Sequence, residues 1–186
     1  MRKDVLPPLQ GVVLTGGASS RMGCDKAALV YHGAPQWRIA GELLRTCGAE
    51  PLWSCSASQA RDWDLGGRAV LDIVPGHGPA SGLHAVFSRG DNSAWLVLGC
   101  DYPALEAQDL QHLVAARTVD HEAITYLNPA SQEIEPMITL WEPAAQRRFL
   151  QAFDRGEYSA RRVLATCMLR RLAPRNHLIL ENRNRP

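Results

Sequence analysis

Apolar residues along this chain follow two spacings. Some form short, nearly continuous runs, others recur every three or four positions, and the two kinds of segment alternate. Runs at Gly11–Leu14, Leu52–Cys55, Ala69–Leu71, Ala94–Leu98 and Ala123–Tyr126 predict strands, with 137–141 and 177–180 as two further candidates. Trp95-Leu96-Val97-Leu98 is apolar at every position, as a central strand covered on both faces requires. Helical spacing begins at Pro35 or Gln36 and carries Ile39, Ala40, Leu43, Leu44 and Cys47, with Gly48 suited to end the helix. A second helix is expected from Gly78-Pro79, proline being suited to a first turn, with Leu83, Val86 and Phe87 on one face. A third is expected over about Glu106 to Arg117, a fourth after Pro143 burying Phe149, Leu150 and Phe153, and a short one near 159–165. This alternation predicts an α/β fold, a mostly parallel sheet with helices on both faces. No repeat or linker interrupts it, so residues 1–186 are expected to form one domain.

The 186 residues are enough for one sizeable core, and 46% apolar with 21% charged residues is a globular balance. No apolar run approaches the roughly 18 residues of a membrane span. The first ten residues, with Pro7 and Pro8, lack the apolar core of a signal peptide, and a cytoplasmic protein is expected. Cysteines 24, 47, 55, 100 and 167 form neither a CxxC pair nor a Cys/His cluster, which argues against zinc and against a disulfide framework. Cys47, Cys55 and Cys100 read as small core residues. The net charge is only +1, yet ten arginines face three acids from Arg147 onward. That imbalance suits a solvated helix surface or a field attracting an anionic ligand. No zinc-finger or RNA-binding signature accompanies the arginines, so nucleic acid is not the expected partner.

Candidate chemistry concentrates in Leu14-Thr15-Gly16-Gly17-Ala18-Ser19-Ser20-Arg21-Met22-Gly23-Cys24-Asp25-Lys26, directly after the first expected strand. Gly16 and Gly17 let backbone approach a triphosphate, Arg21 can donate a fork of hydrogen bonds to phosphate oxygens, and Lys26 adds a point charge. The spacing is neither the GxxxxGK[ST] loop nor the dinucleotide fingerprint. Asp101 follows the continuous apolar strand, at the edge where open α/β sheets place ligands, and a carboxylate there can hold Mg²⁺ against phosphate oxygens. Between them lies Asp72-Ile73-Val74-Pro75-Gly76-His77-Gly78-Pro79-Ala80-Ser81-Gly82, a shaped loop entering a helix. Asp72 can accept from a ribose, a base or a lysine, or form a structural Asx turn, and Gly82 is expected to admit a ribose or base. His77 is given no catalytic role, because an already ionised phosphate nucleophile needs no base. Ser19 and Ser20 lack the His/Asp partners and the GxSxG turn of a nucleophile.

The first loop closely resembles the signature of the molybdenum cofactor guanylyltransferases. The likeness continues through Gly33-Ala34-Pro35, Asp72 with Gly76–Leu83, Gly99-Cys100-Asp101-Tyr102-Pro103, Glu135-Pro136 and Asn182-Arg183-Asn184-Arg185-Pro186. The resemblance implies a single Rossmann-like nucleotidyltransferase domain that transfers GMP from GTP, with Mg²⁺, to the phosphate of Mo-molybdopterin and releases pyrophosphate. By the same resemblance, Leu14, Gly16, Gly17, Arg21 and Lys26 hold the nucleotide, Asp72 lies near the guanosine, Asp101 binds Mg²⁺, and Asn182 and Asn184 face the pterin. A monomer making transient contacts with cofactor-synthesis or acceptor enzymes is expected. Thr15-Gly16-Gly17 falls on the guanylyl side of a family whose cytidylyl members typically have an Ala-Ala-Gly-like loop. Sugar and isoprenoid nucleotidyltransferases usually carry Pro-Lys where this chain has Asp25-Lys26. Arg185 replaces a usual Thr-like residue, and family members commonly continue beyond Pro186 into a terminal helix. Cytidylyl transfer, transfer to another small phosphate, and nucleotide binding without transfer remain the alternatives.

Overall fold

The all-apolar run forms the middle of the sheet. The computed structural model describes residues 5–15, 26–30 and 33–182, and in it β4 (Ala94–Gly99) is buried along its whole length. β1 (Leu9–Leu14), β2 (Pro51–Ser54) and β3 (Ala69–Val70) extend the sheet on one side of β4. β5 (Ala123–Leu127), β6 (Ile134–Trp141) and β7 (Leu169–Leu172) extend it on the other, giving the order β3-β2-β1-β4-β6-β5-β7. Only β6 runs antiparallel to its neighbours, β4 and β5. The carboxyl ends of β1 and β4 therefore share one edge with the beginning of β6.

Period-two alternation sorts the core into two layers. Val13, Leu96 and Leu98 meet Leu44 of α1 (Gln36–Arg45) and Leu110 and Leu113 of α4 (Ala107–Ala115). Val12, Trp95 and Val97 meet Leu83 and Val86 of α3 (Pro79–Phe87), Phe149 of α5 (Pro143–Phe153) and Val163 of α6 (Ala160–Leu164). Helices cover both faces, as the periodicity predicts. Cys55 and Cys100 are buried, while Cys47 is half-buried. An ion pair ties the layers at the other end of β6. Arg117 donates to Glu142 at 2.8 and 3.2 Å and to the Pro7 carbonyl at 2.9 Å, and both charged side chains are 8% exposed.

Three elements depart from the sequence expectations. Residues 177–180 form a 3₁₀ turn, His177–Leu180, not a strand. The Asn176 side chain accepts from the Leu178 N–H at 3.0 Å and starts the turn, while Ile179 and Leu180 are buried as a strand's apolar residues would be. The last strand is instead β7, whose central Arg170 and Arg171 hide it from apolar periodicity; as an edge strand it tolerates them. α2 (Ala57–Asp62) also went unpredicted, because none of its residues is buried. Its signal is a capping box, in which Gln59 N–H donates to Ser56 Oγ at 3.2 Å and Ser56 N–H donates to Gln59 Oε1 at 2.8 Å. Among the described residues, no helix is long and apolar enough to cross a membrane.

Candidate active site at the carboxyl edge of the sheet

The edge is shaped by an irregularity in β6. Thr125 pairs with Thr139 but Leu127 pairs with Ile134, so β6 spends extra residues between the two registers. Pro136 sits within this bulge, where a missing N–H costs no ladder bond. The Glu135 carbonyl accepts instead from the hydroxyls of Thr125 at 2.7 Å and Thr139 at 2.8 Å. The Glu135 carboxylate accepts from the Met137 N–H at 3.1 Å. Backbone groups released from pairing are thus satisfied by side chains, and the bulge pushes Glu135, Pro136 and Met137 toward the end of β4.

Asp101 lies immediately beyond β4, within this frame. Its carboxylate accepts a short hydrogen bond from the Asn182 amide, a contact joining residues far apart in sequence. Tyr102, only 3% exposed, donates its hydroxyl to Glu135 and also hydrogen-bonds Asn182. Burial, the nearby carboxylates and the bond to Glu135 push the Tyr102 pKa far up, so it remains a neutral donor. Burial also raises the Glu135 pKa, the Asp101 charge adding to it, while Met137, Tyr102 and Arg161 oppose the shift. Gly99 makes the cluster possible: a Cβ there would lie 2.9 Å from the Tyr102 ring, 3.0 Å from Asp101 Oδ1 and 3.3 Å from Met137 Cβ.

Two mutually repelling carboxylates offering only oxygen donors suit Mg²⁺, which typically takes one or two carboxylates and completes its shell with water and phosphate oxygens. A protein-only cage is absent: no group of three His, Cys, Asp or Glu occurs among the described residues. The donor set fits a metal shared with a substrate.

Other expected site residues fare differently. Leu14 and Thr15 end β1 at this edge, Thr15 donating both its N–H (3.0 Å) and its hydroxyl (2.7 Å) to the Ser54 carbonyl. Asp72 follows β3 on the exposed rim, and partial burial raises its carboxyl pKa. Its charge helps burial push the neighbouring Cys55 thiol up to about 11. Gly82 lies buried in α3, where a Cβ would meet Ser54 Oγ at 2.3 Å and Leu14 Cδ2 at 3.1 Å, so glycine here permits close helix–sheet packing. Lys26 opens a 3₁₀ turn, Lys26–Ala28. The expectations on Gly16, Gly17, Arg21, the Lys26 side chain and Asn184 lie outside the described residues. The sequence assigns Glu135 no role, although Glu135-Pro136 is among the segments that carry the family resemblance.

Known proteins share this architecture. The family model for the MobA-like NTP transferase domain matches residues 11–174. A molybdenum cofactor biosynthesis bifunctional protein of Synechocystis is 29% identical over 180 residues, 96% of this chain and 52% of that protein. A molybdenum cofactor guanylyltransferase of Xanthomonas euvesicatoria is 39% identical over 109 residues, 58% of this chain and 54% of the relative. The match thus spans about half the length of each of these curated relatives. The molybdopterin-guanine dinucleotide biosynthesis protein A of Archaeoglobus fulgidus superposes with a TM-score of 0.71 at 19% identity, over 95% of this chain and 93% of that one, a likeness of fold. With the family model covering all but the first ten and last twelve residues, this chain belongs to the MobA-like NTP transferase domain family.

Proposed function

We propose that this chain is a molybdenum cofactor guanylyltransferase, transferring GMP from GTP to the terminal phosphate of Mo-molybdopterin with release of pyrophosphate. The observation that carries the reading is the place of Asp101, at the carboxyl end of the central strand, held by Asn182, which Tyr102 in turn hydrogen-bonds, beside Glu135. Family membership and the names of the relatives support it. In this reading Leu14, Gly16, Gly17, Arg21 and Lys26 receive the nucleotide and its phosphates, and Asp72 faces the guanosine. Asp101, with Glu135 near it, holds Mg²⁺. When bound there, the metal would supply charge neutralisation on the phosphate oxygens. Asn182 orients the Asp101 carboxylate, while the buried Tyr102 and the half-buried Glu135 keep that orientation fixed. The acceptor phosphate is ionised at neutral pH, so the residues bind and align rather than abstract a proton. We place the enzyme in the cytoplasm as a monomeric domain over residues 1–186, with transient contacts to cofactor-synthesis or acceptor enzymes.

The test is product analysis by mass with GTP or CTP, Mg²⁺ and a panel of phosphorylated acceptors including Mo-molybdopterin. GMP transfer to the pterin, with pyrophosphate release reduced on the order of 100-fold or more in Asp101→Asn, is the expected result. Preference for CTP, or for a sugar phosphate, overturns the substrate assignment. Near-normal turnover by Asp101→Asn removes that carboxylate from the reaction.

A further inference from the structure

Several of the arginines that crowd the chain beyond residue 147 form ion pairs at the surface. Arg148, Arg161 and Arg162 meet Glu122, Glu133 and Glu157 at 3.1, 2.7 and 3.1 Å, each arginine side chain at least 46% exposed. Pairs so placed add little to stability. Arg175 differs in its partner. Its Nε and Nη2 donate to the two carboxylate oxygens of Asp109 at 3.2 and 3.3 Å, Nη2 also reaches Glu106 at 3.1 Å, and the Asp109 side chain is only 1% exposed. A fork of two bonds to a buried carboxylate fixes direction as well as distance.

Asp109 is itself held in place. It lies in the first turn of α4, its carboxylate accepting from the Glu106 N–H at 2.9 Å. Its carbonyl accepts from the hydroxyl of the buried Tyr126, on β5, at 2.8 Å. Two short stretches of chain run from this point to the candidate site. One is 101–109, whose turn is closed by the Leu105 N–H donating to the Tyr102 carbonyl at 3.2 Å. The other is 175–182, which returns from the β7 edge of the sheet toward β4. They meet where the Asn182 amide donates to Asp101. The stretches thus form a ring, closed by Arg175 and Asp109 at one end and by Asn182 and Asp101 at the other. Its middle is apolar, with Ile179 and Leu180 in the same buried cluster as Tyr102, Leu105 and Leu110. Apolar packing is non-directional, so it holds the turn down without setting its register. The polar closures set it.

We infer that Arg175 is a positioning residue for the Asp101 site: by gripping Asp109 it fixes the returning chain on α4 and so holds Asn182 against the Asp101 carboxylate. The inference rests on the proposed reading of Asp101 as a metal-binding carboxylate and adds what orients it. Arg175 touches neither substrate nor reacting atoms and acts only through Asn182.

Two variants test it. Asp109→Asn combined with Arg175→Met removes the clamp without stranding a buried charge, and Arg175→Lys keeps a charge but loses the fork. Each is made with Asn182 intact and with Asn182→Ala. Binding of Mn²⁺, a paramagnetic substitute for Mg²⁺, is read by electron paramagnetic resonance with GTP present, metal-free GTP affinity by calorimetry, and the hold on 176–182 by hydrogen exchange. Loss of the clamp is expected to weaken Mn²⁺ binding about tenfold or more, the scale on which groups that orient metal ligands act. Metal-free GTP affinity stays unchanged, exchange over 176–182 quickens, and Arg175→Lys falls between clamp-free and wild type. With Asn182→Ala already present, removing the clamp has no further effect on Mn²⁺, because the two changes cut one path. An additive loss there means that Arg175 serves stability alone and overturns the inference. Wild-type Mn²⁺ affinity in the clamp-free variant, or in Asn182→Ala itself, also overturns it and leaves the proposed function standing. If the clamp-free variant does not fold, Arg175→Lys decides on the same readouts, wild-type Mn²⁺ affinity again overturning the inference. A wild-type protein that binds no Mn²⁺ with GTP overturns the metal reading of Asp101 and the inference with it.

Discussion

Replacing Gly82 with alanine separates a packing role from a ligand-binding one. The added methyl would lie 2.3 Å from Ser54 Oγ, 3.1 Å from Leu14 Cδ2 and 3.2 Å from Ser54 Cβ, all on buried elements. Overpacking a filled interior costs about 1–3 kcal/mol, and three tight contacts on two strands place this site toward the upper end. Alanine returns about 0.8–1 kcal/mol through its better helix propensity. The net loss is therefore about 1–2 kcal/mol. For a domain of this size that lowers Tm by about 2–8 °C, taking 2–4 °C per kcal/mol. Combining Gly82→Ala with Ser54→Ala removes the worst contact, so the double variant should be more stable than the sum of its parts by about 1 kcal/mol. Calorimetric melting checks stability and titration with GTP checks ligand binding. A Gly82→Ala protein melting with the wild type but binding GTP tenfold more weakly would refute the packing argument and restore the ribose-facing role.

Two further substitutions probe groups that the folded state holds under constraint. Glu142→Gln leaves the Arg117 charge buried without its carboxylate, the Pro7 carbonyl still accepting at 2.9 Å, and should cost about 3–5 kcal/mol in urea denaturation, much of it recovered by adding Arg117→Met. A loss below about 1 kcal/mol would mean the pair is solvated in solution. Glu135→Gln should alter the pH dependence of stability. Because burial raises the Glu135 pKa in the folded state, its contribution is fully present below the unfolded carboxyl value near 4.3 and is lost as pH rises through the folded value. Urea midpoints measured from pH 4 upward should therefore fall less steeply in Glu135→Gln than in wild type, and identical slopes would contradict the burial argument.

Most of the scaffold was legible because burial on both faces writes itself as continuous apolar character. Trp95–Leu98 announces β4, and Gly78-Pro79 announces the start of α3. Elements without buried residues, such as α2, leave no such trace, and the arginines of β7 disguise an edge strand as a charged surface. Within the site, Asp101 was legible from its place after β4, since strand ends are local in sequence. The bond from Asn182 was not, because the partners are brought together only after the chain has passed through β7 and the following 3₁₀ turn. Gly82 is a related case. Glycine in a loop-to-helix segment signals close approach, but what approaches is decided by tertiary packing, here by Ser54.

The β6 bulge connects these observations physically. A regular antiparallel strand beside β4 would bond the Glu135 carbonyl into the ladder and direct the following residues along the sheet. The buried Thr125 and Thr139 hydroxyls, 2.8 Å from one another, instead take up that carbonyl from within the core. Neither threonine faces the candidate substrate, yet both decide where Glu135, Pro136 and Met137 stand. Glu135 then fixes Tyr102 and shares the field of Asp101, while Met137 packs beside the Gly99 backbone at the end of β4. Strained or irregular backbone at functional sites persists only where its surroundings satisfy the freed polar groups, and this bulge meets that condition through two hydroxyls and one carboxylate. The geometry of the proposed reaction centre is therefore anchored by hydrogen bonds lying beneath it, in the core.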